Sequence, residues 1–394
     1  MTQGFLDIVL VNRTGASILF AHITGRRLQP NGVGAEVDVG PIMIKSDGMT
    51  PHMLASGGGN RRSPGVDHGI RVGGPGAKKR VRIPRLAGGR VYFSKNRPLT
   101  FYVNSESSGP ALVEPSPMNP ADTNYGVEWT FAELTFNQAE VYANISYVDF
   151  LNIPVALHLS THAGPAKEVT GMPKGAITRI AKRLEELGNS WGKLVVRSPS
   201  GALIRILSPN SGEQVYPGLF KGFFREHVDA VWKHYENTDL IVDTQRDWGV
   251  FRGRVSGGVL KLRGKDGWTL TYEKPTTKDI LTCNTGPFAL REPRDEKEEA
   301  RLNVGARIAA AFNRGTLLIN PRQPHGERVE TYYTQRPINH YARLCHKMSV
   351  AHRGYAFPYD DVSASGKSDQ SGYVSDGNPK LLTVTAGGLR EGHM

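Results

Sequence analysis

The chain predicts a mainly β protein with a mixed α/β part inserted into it, and three observations carry that expectation. Polar and apolar residues alternate at period two in short segments through the first 165 residues. The 45 glycines and 25 prolines are enough to supply the turns that many short strands need. From Gly171 onward, apolar residues recur instead at three- and four-residue spacing, the period of a helix face.

Taken in order, FLDIVLVN (5–12), SILFAHIT (17–24), VRIPRLAGGRVYFS (81–94) and LTFYVN (99–104) are short, apolar or alternating, and bounded by Gly, Pro, Asn or Ser. Ala55 to Gly76 is glycine-rich and reads as a loop. Its Gly-Ala-Lys-Lys ending lacks the Gly-Lys-Ser/Thr and the following helix of a phosphate-binding loop. Lys174 to Gly188 spaces Ile177, Ile180, Ala181, Leu184 and Leu187 on a helix face, with Gly188 to end it. Lys221 to Asn237 repeats the pattern with Phe224, Val228, Val231, Trp232 and Tyr235. Asp295 to Phe312 is a third helix, with acids at its start where the helix dipole favours them. Strand-like pieces lie between the helices: LIVDTQ, VFRGRVSGGVLKL and WTLTYE. After about Asn339 the chain is expected to return to turns and strands, through GYAFPYDDV and LLTVTAG. The organisation expected is a β domain over 1–165, a mixed α/β domain over 166–338, a return to the β domain over 339–386, and a loose tail over 387–394.

Composition narrows the function classes. Of 394 residues, 39% are hydrophobic and 22% charged, as in a globular protein. No stretch approaches the roughly 18 to 20 apolar residues of a membrane span. Met1 to Gly4 carries no basic segment and Phe5 to Val11 is too short, so no signal peptide is expected in this chain. The net charge of +12 invites a polyanion partner. However, the densest run, Lys78 to Arg85, alternates basic and apolar residues from Arg80, as one solvated strand face does. It has no helix-turn-helix, zinc-finger or RNA-recognition signature beside it, so no nucleic-acid partner is expected. The 12 histidines form no HExxH or Cys/His cluster, and neither a metal nor another cofactor is expected. Cys283 and Cys345 leave one disulfide or two buried thiols equally open.

The chemistry concentrates between Trp129 and Pro154. Glu133, Thr135 and Asn137 alternate with Leu134 and Phe136, so one strand face carries a carboxylate, a hydroxyl and an amide. A second strand, Asn144 to Phe150, is expected to return Asp149 beside Glu133 across a loop of about half a dozen residues. Two carboxyls facing each other on rigid strands are the minimum equipment for acid/base cleavage of a glycosidic bond.

The wording of this segment, W-x-F-x-E-x-T-F-N followed by N-x-S-x-V-D-F-x-x-x-P, resembles glycoside hydrolase family 64, the β-1,3-glucanases built on a thaumatin-like fold. The resemblance extends through AGGRVYFS, PLTFYVN and PALVEPSPMNPADTNY upstream, and CNTGPFA, AAFNRGTLL, NHYAR and GYAFPYDDV downstream. It implies a thaumatin-like β-sandwich or barrel facing the α/β part across a wide cleft. It implies Glu133 as general acid and Asp149 as general base, with inversion of configuration. The two carboxyls would then stand roughly 6.5–9.5 Å apart to admit water. Apolar neighbours and the Asp149 charge are expected to favour a protonated Glu133.

Thr135, Asn137, Tyr142, Asn144 and Ser146 are the sugar-side candidates by the same resemblance. Tyr142 stands where the family often has tryptophan, and Ser146 where it has threonine. Because the parity of Ser146 differs from that of Asp149, the second strand must be irregular or begin after Ser146. Asn12-Arg13-Thr14 and Asn144-Ile145-Ser146 are glycosylation sequons by pattern, but a glycan on Asn144 would obstruct the site. Asp360 and Asp361 resemble an acidic pair near the thaumatin-like cleft, read as supporting groups ahead of direct substrate contact. His340 reads as a packed structural histidine.

The expected activity is endo-acting hydrolysis of β-1,3-glucan such as laminarin, by a monomer, to short laminari-oligosaccharides, with the pentasaccharide implied by resemblance. The resemblance places the protein outside the cell or at the wall, and the absence of a visible leader leaves the cytoplasm as the alternative. The rival readings are a non-catalytic glucan-binding thaumatin-like antifungal protein, and a polyanion binder whose affinity would fall steeply with salt.

Overall fold

Period-two burial builds two packed sheets. In the computed structural model, which describes residues 4–32, 34–367 and 369–389, the strand Phe5–Asn12 buries Leu6, Ile8 and Leu10. Residues 390–394 of the expected tail fall outside the described residues. Phe5–Asn12 pairs in parallel with Pro379–Ala386 and antiparallel with Lys78–Pro84. With Val155–Thr161 and Lys167–Val169 these make a five-stranded sheet. In Lys78–Pro84, Val81 and Ile83 point inward while Arg80 and Arg82 stay on the solvated face, where both pair with Asp7 at 2.8 and 2.7 Å.

The second sheet has eight strands. Its central path runs Tyr373–Asp376, Val141–Ile145, Trp129–Phe136, Leu86–Lys95, Leu19–Pro30 and Glu36–Ile44. One face of this sheet is packed into the core by Val91, Phe93, Ala132, Leu134, Ala143 and Ile145. The segment expected to be loop from Ala55 to Gly76 also contains a short strand, Ile70–Gly73, paired with Leu19–Pro30.

Between Ala176 and Gln323 the chain is mixed α/β. A five-stranded sheet in the order Thr269–Tyr272, Val259–Arg263, Val250–Ser256, Leu240–Asp243 and Arg322–Gln323 packs with the helices Arg225–His234 and Glu296–Arg314. Asp295 caps the latter, its side chain accepting from the Glu298 N–H, as its place before an acidic first turn requires. Helix Ala176–Leu187 buries Ile177, Ile180, Ala181 and Leu184, but Leu187 is exposed at the last position, where the helix leaves the core.

After Asn339 the structure departs from the expected turns and strands: His340–Met348 is an α-helix. Asn339 caps it by accepting from the Ala342 N–H, and Tyr341, Ala342, Cys345 and His346 line its buried face. Cys283 and Cys345 are both buried free thiols. Asn12 and Asn144 are buried and hydrogen-bonded, so neither sequon offers a glycan acceptor on the folded surface.

Candidate active site: a row of polar side chains across the eight-stranded sheet

Residues directly opposite one another in adjacent antiparallel strands share a face. Glu133 lies opposite Arg90 on one side and Asn144 on the other. Arg90 in turn lies opposite Thr24, and Asn144 opposite Tyr373. Register alone therefore lines up Thr24, Arg90, Glu133, Asn144 and Tyr373 on the sheet face away from the inter-sheet core. Thr135 and Tyr142 form the next opposed pair on the same face. Towards Trp129 this face is sealed by aromatic rings, with Trp129 and Phe131 packed against Phe150 at 4.6 and 6.1 Å. At Glu133, 35% of the side chain is exposed, and the row opens to solvent.

Asp149 does not sit on the second strand of the hairpin, as the alternating pattern suggested. That strand is Val141–Ile145, joined to the first by only Asn137 to Glu140, and Asp149 lies in a bend beyond its end. Buried anchors on both sides hold the bend. Tyr147 donates its N–H to Tyr355 O at 2.7 Å and accepts from the Tyr341 hydroxyl at 2.6 Å. Phe150 pairs with Leu207 and packs under Trp129, and Asp149's own carbonyl accepts from the Ser208 N–H at 2.9 Å. Thr135, Tyr142 and Asn144 gather around Glu133, while Ser146 follows the strand and bridges Tyr355.

Glu133 is flanked by polar groups rather than the expected apolar ones. Asn144 Nδ2 donates to its Oε2 at 3.2 Å, and Arg90 Nη2 lies 3.6 Å from its Oε1. Its sequence neighbours Leu134 and Phe136 face or pack elsewhere, so strand pairing decides its surroundings.

Burial raises the Asp149 carboxyl above its ordinary value; Arg90 opposes this rise and the Glu133 charge adds to it. A native carboxyl that binds its proton more tightly than the unfolded chain's costs stability as pH rises through that window. Asp149→Asn is therefore expected to unfold at the same or a higher temperature than wild type at neutral pH. The difference should vanish below about pH 3.9, where both folded and unfolded carboxyls are protonated. A thermal-unfolding series against pH checks this, and a lower midpoint at pH 7 would count against a destabilising Asp149.

Two candidates are corrected by their surroundings. Asn137 lies past the strand end, and its side-chain oxygen accepts from the N–H groups of Ala139 and Glu140, so that oxygen closes the hairpin turn rather than facing a ligand. Asp360 is wholly buried. Its carboxyl lies 3.3 Å from Arg314 and 2.9 Å from His346 and accepts from the Ala356 N–H, so it cannot touch a substrate. The adjacent Asp361 is exposed and accepts from the Tyr355 hydroxyl at 3.1 Å. It also lines a cavity of about 790 Å³ walled by Gln245, Trp248 and Arg307. His340 stacks edge-on against Trp191 at 5.1 Å.

Arg90, Glu114 and Tyr355 lie within the quoted motifs but were not singled out from sequence, nor was Tyr373, which lies outside them. Arg90 had a usable signal, a lone cation inside the otherwise uncharged strand AGGRVYFS. Tyr373 stacks on Tyr142, their rings 5.2 Å apart and 20° from parallel, which widens the aromatic surface beside Asn144. Among the described residues no three His, Cys, Asp or Glu side chains are placed to hold a metal ion.

Known proteins resemble this chain over nearly its whole length. The family model described as β-1,3-glucanase, glycoside hydrolase 64, matches residues 4–386. Two glucan endo-1,3-β-glucosidases, from Cellulosimicrobium cellulans and Arthrobacter sp. (strain YCWD3), are each 28% identical over 382 residues. The match covers 96% of this chain and 64% of theirs, so the chain spans under two thirds of the length of these relatives. The crystal structure of a laminaripentaose-producing β-1,3-glucanase in complex with laminaritetraose is similar at a TM-score of 0.83 and 26% identity, covering 98% of this chain and 99% of that one. A β-1,3-glucanase domain from Clostridium beijerinckii shares the fold at a TM-score of 0.71 and 22% identity, over 98% of both chains. With a family match over residues 4–386, nearly its whole length, this chain belongs to glycoside hydrolase family 64.

Proposed function

We propose that this protein hydrolyses β-1,3-glucan internally with inversion, with Glu133 as general acid and Asp149 as general base. In this reading a thaumatin-like β domain carries both carboxyls and the α/β part forms the far wall of a substrate cleft. The observation that carries it is the placement of the two carboxyls. They come from separate rigid elements, a paired strand and a doubly anchored bend, and are close enough for the Glu133 charge to act on Asp149.

Inverting hydrolysis needs an acid on the leaving oxygen and a base on a water at the opposite face of the sugar. Asn144 donating to Oε2 orients the Glu133 carboxyl and leaves Oε1 for the transferable proton. Asp149, held in its bend, takes the proton of the attacking water. A carboxyl separation of roughly 6.5–9.5 Å accommodates that water. Thr135, Ser146 and Asp361 supply polar contacts along the cleft, and the Tyr142–Tyr373 surface offers an apolar face on which a pyranose can stack. The products are short laminari-oligosaccharides, with the pentasaccharide favoured as in the similar structure.

Incubating linear β-1,3-glucan with the protein and resolving the products by chromatography and NMR tests this reading. Internal cleavage to short oligosaccharides whose new reducing ends appear first as the α-anomer is the expected result. A first-formed β-anomer would overturn inversion. Retained glucan binding without any cleavage would make the protein a binding module.

A further inference from the structure

The strand Val141–Ile145 ends before Asp149, so the chain beyond it needs other partners for its buried backbone groups. Tyr147 shows how they are found. Its N–H goes to Tyr355 O at 2.7 Å, but its carbonyl is met by a side chain, the Tyr341 hydroxyl, at 2.6 Å. Both tyrosines are buried. Two residues on, the Asp149 carbonyl accepts from the Ser208 N–H at 2.9 Å, so only Val148 lies between two fixed carbonyls. Tyr147 is held from its ring side as well. A Cβ at Gly354 would stand 2.4 Å from the Tyr147 ring, so that ring lies directly on the glycine backbone.

Tyr341 is itself fixed, because it stands in the first turn of the helix His340–Met348. Asn339 caps that helix, accepting from the Ala342 N–H at 3.1 Å, and its Nδ2 donates to Asn313 Oδ1 at 2.9 Å. The second bond ties the helix start to the helix Glu296–Arg314. Near the other end, His346 lies 2.9 Å from Asp360. Anchored at both ends, the helix cannot slide or turn without breaking buried contacts. We propose that Tyr341 is a positioning residue for hydrolysis. Its hydroxyl fixes the Tyr147 carbonyl and, through the short bend, the place of the Asp149 carboxyl relative to Glu133. A base must lie within hydrogen-bond reach of the water it activates, and a displacement of about 1 Å costs up to about 100-fold in rate. The inference rests on the role proposed above for Asp149.

Tyr341→Phe removes one oxygen atom and keeps the ring. On a soluble β-1,3-gluco-oligosaccharide it should lower kcat by about 10- to 100-fold with KM little changed. Tyr235→Phe and Tyr272→Phe are the matched controls. Their hydroxyls also donate to buried carbonyls at 2.6 Å, those of Leu317 and Arg301, in the α/β part. All three variants should lose a similar few degrees of melting temperature, but the controls should keep the wild-type kcat. In the Asp149→Asn background, Tyr341→Phe should cost little further kcat, because its effect passes through that carboxyl. Gly354→Ala, which crowds Tyr147 from the other side, should also lower kcat ahead of KM.

A loss of kcat in Tyr341→Phe no greater than in the two controls would reduce Tyr341 to a structural tyrosine. The same fold-loss with and without the Asp149 carboxylate would also overturn the inference. If Tyr341→Phe does not fold, Gly354→Ala decides, and a wild-type kcat there overturns it. In each case an active wild type that needs Asp149 would leave the proposed hydrolase intact. Full activity in Asp149→Asn would instead remove the base, and this inference with it. A wild type that cleaves no glucan would overturn the proposed function itself.

Discussion

Glu133→Gln is expected to cut the rate of β-1,3-glucan hydrolysis by a factor of about 10² to 10⁴ while leaving glucan binding nearly unchanged. Glutamine keeps the shape of the side chain and an oxygen that can accept from Asn144 Nδ2, now 3.2 Å from Glu133 Oε2, so the row across the sheet should persist. What disappears is a transferable proton at the leaving oxygen. Because the acid acts only in the transition state, the loss should fall on kcat and not on KM. Asp149→Asn should show a comparable loss. The two variants should differ in stability, with Asp149→Asn at or above wild type because burial already penalises its charge. Steady-state kinetics on gluco-oligosaccharides, paired with thermal unfolding, reads both quantities. A rise in KM with kcat preserved would mean that Glu133 holds the sugar but does not donate to it.

The largest stability effect is expected at Asp360, one residue from a side chain that should be almost neutral to the fold. Asp360→Ala should cost about 3–5 kcal/mol, the usual consequence of removing one partner from a buried ion pair. Asp360 is fully buried against Arg314 and His346, and Arg314 is itself buried with Glu327 3.3 Å away. Without Asp360 the guanidinium keeps Glu327 but loses a carboxylate oxygen and a carbonyl arrangement that depends on the turn.

Burial alone would push the Asp360 carboxyl up, but His346, Arg314 and the Ala356 N–H outweigh it and hold it below the ordinary aspartate value. A depressed native value contributes stability above the unfolded value of about 3.9, lost as pH falls through the folded one. The gap between wild type and Asp360→Ala should therefore narrow in acid. Asp361→Ala, by contrast, should unfold within about 0.5 kcal/mol of wild type, as exposed positions do, and show its effect on glucan affinity. Urea unfolding of the two variants, at neutral pH and below pH 3.5, separates them. Equal stability for both would remove Asp360 from the core network.

This neighbouring pair shows where sequence reading stops. In YAFPYDDV the two aspartates are chemically identical and adjacent, and nothing local says which faces Arg314. The turn 358–361 directs one carboxyl inward and leaves the other in solvent. The helix His340–Met348 was legible in principle, because Asn339 is a good cap and Tyr341, Ala342 and Cys345 share a face. It is only nine residues long and sits between turn-rich segments, so the composition around it outweighed its period. Glu133 was readable because the alternation in WTFAELTF is strong and the strand is regular.

By itself, the sequence determined which faces of the strands are apolar, the three longer helices, and the segment in which Glu133 and Asp149 stand. Each of these rests on interactions among residues near in sequence, and residue type and spacing carry them. Only the tertiary structure decided that Arg90 and Asn144 meet Glu133, that Glu114 meets Arg90, that Asp149 stands in a bend, and that Asp360 is buried. Those facts depend on strand register and on contacts between residues far apart in the chain. The environment of a carboxyl is set by whatever strand pairing places across from it.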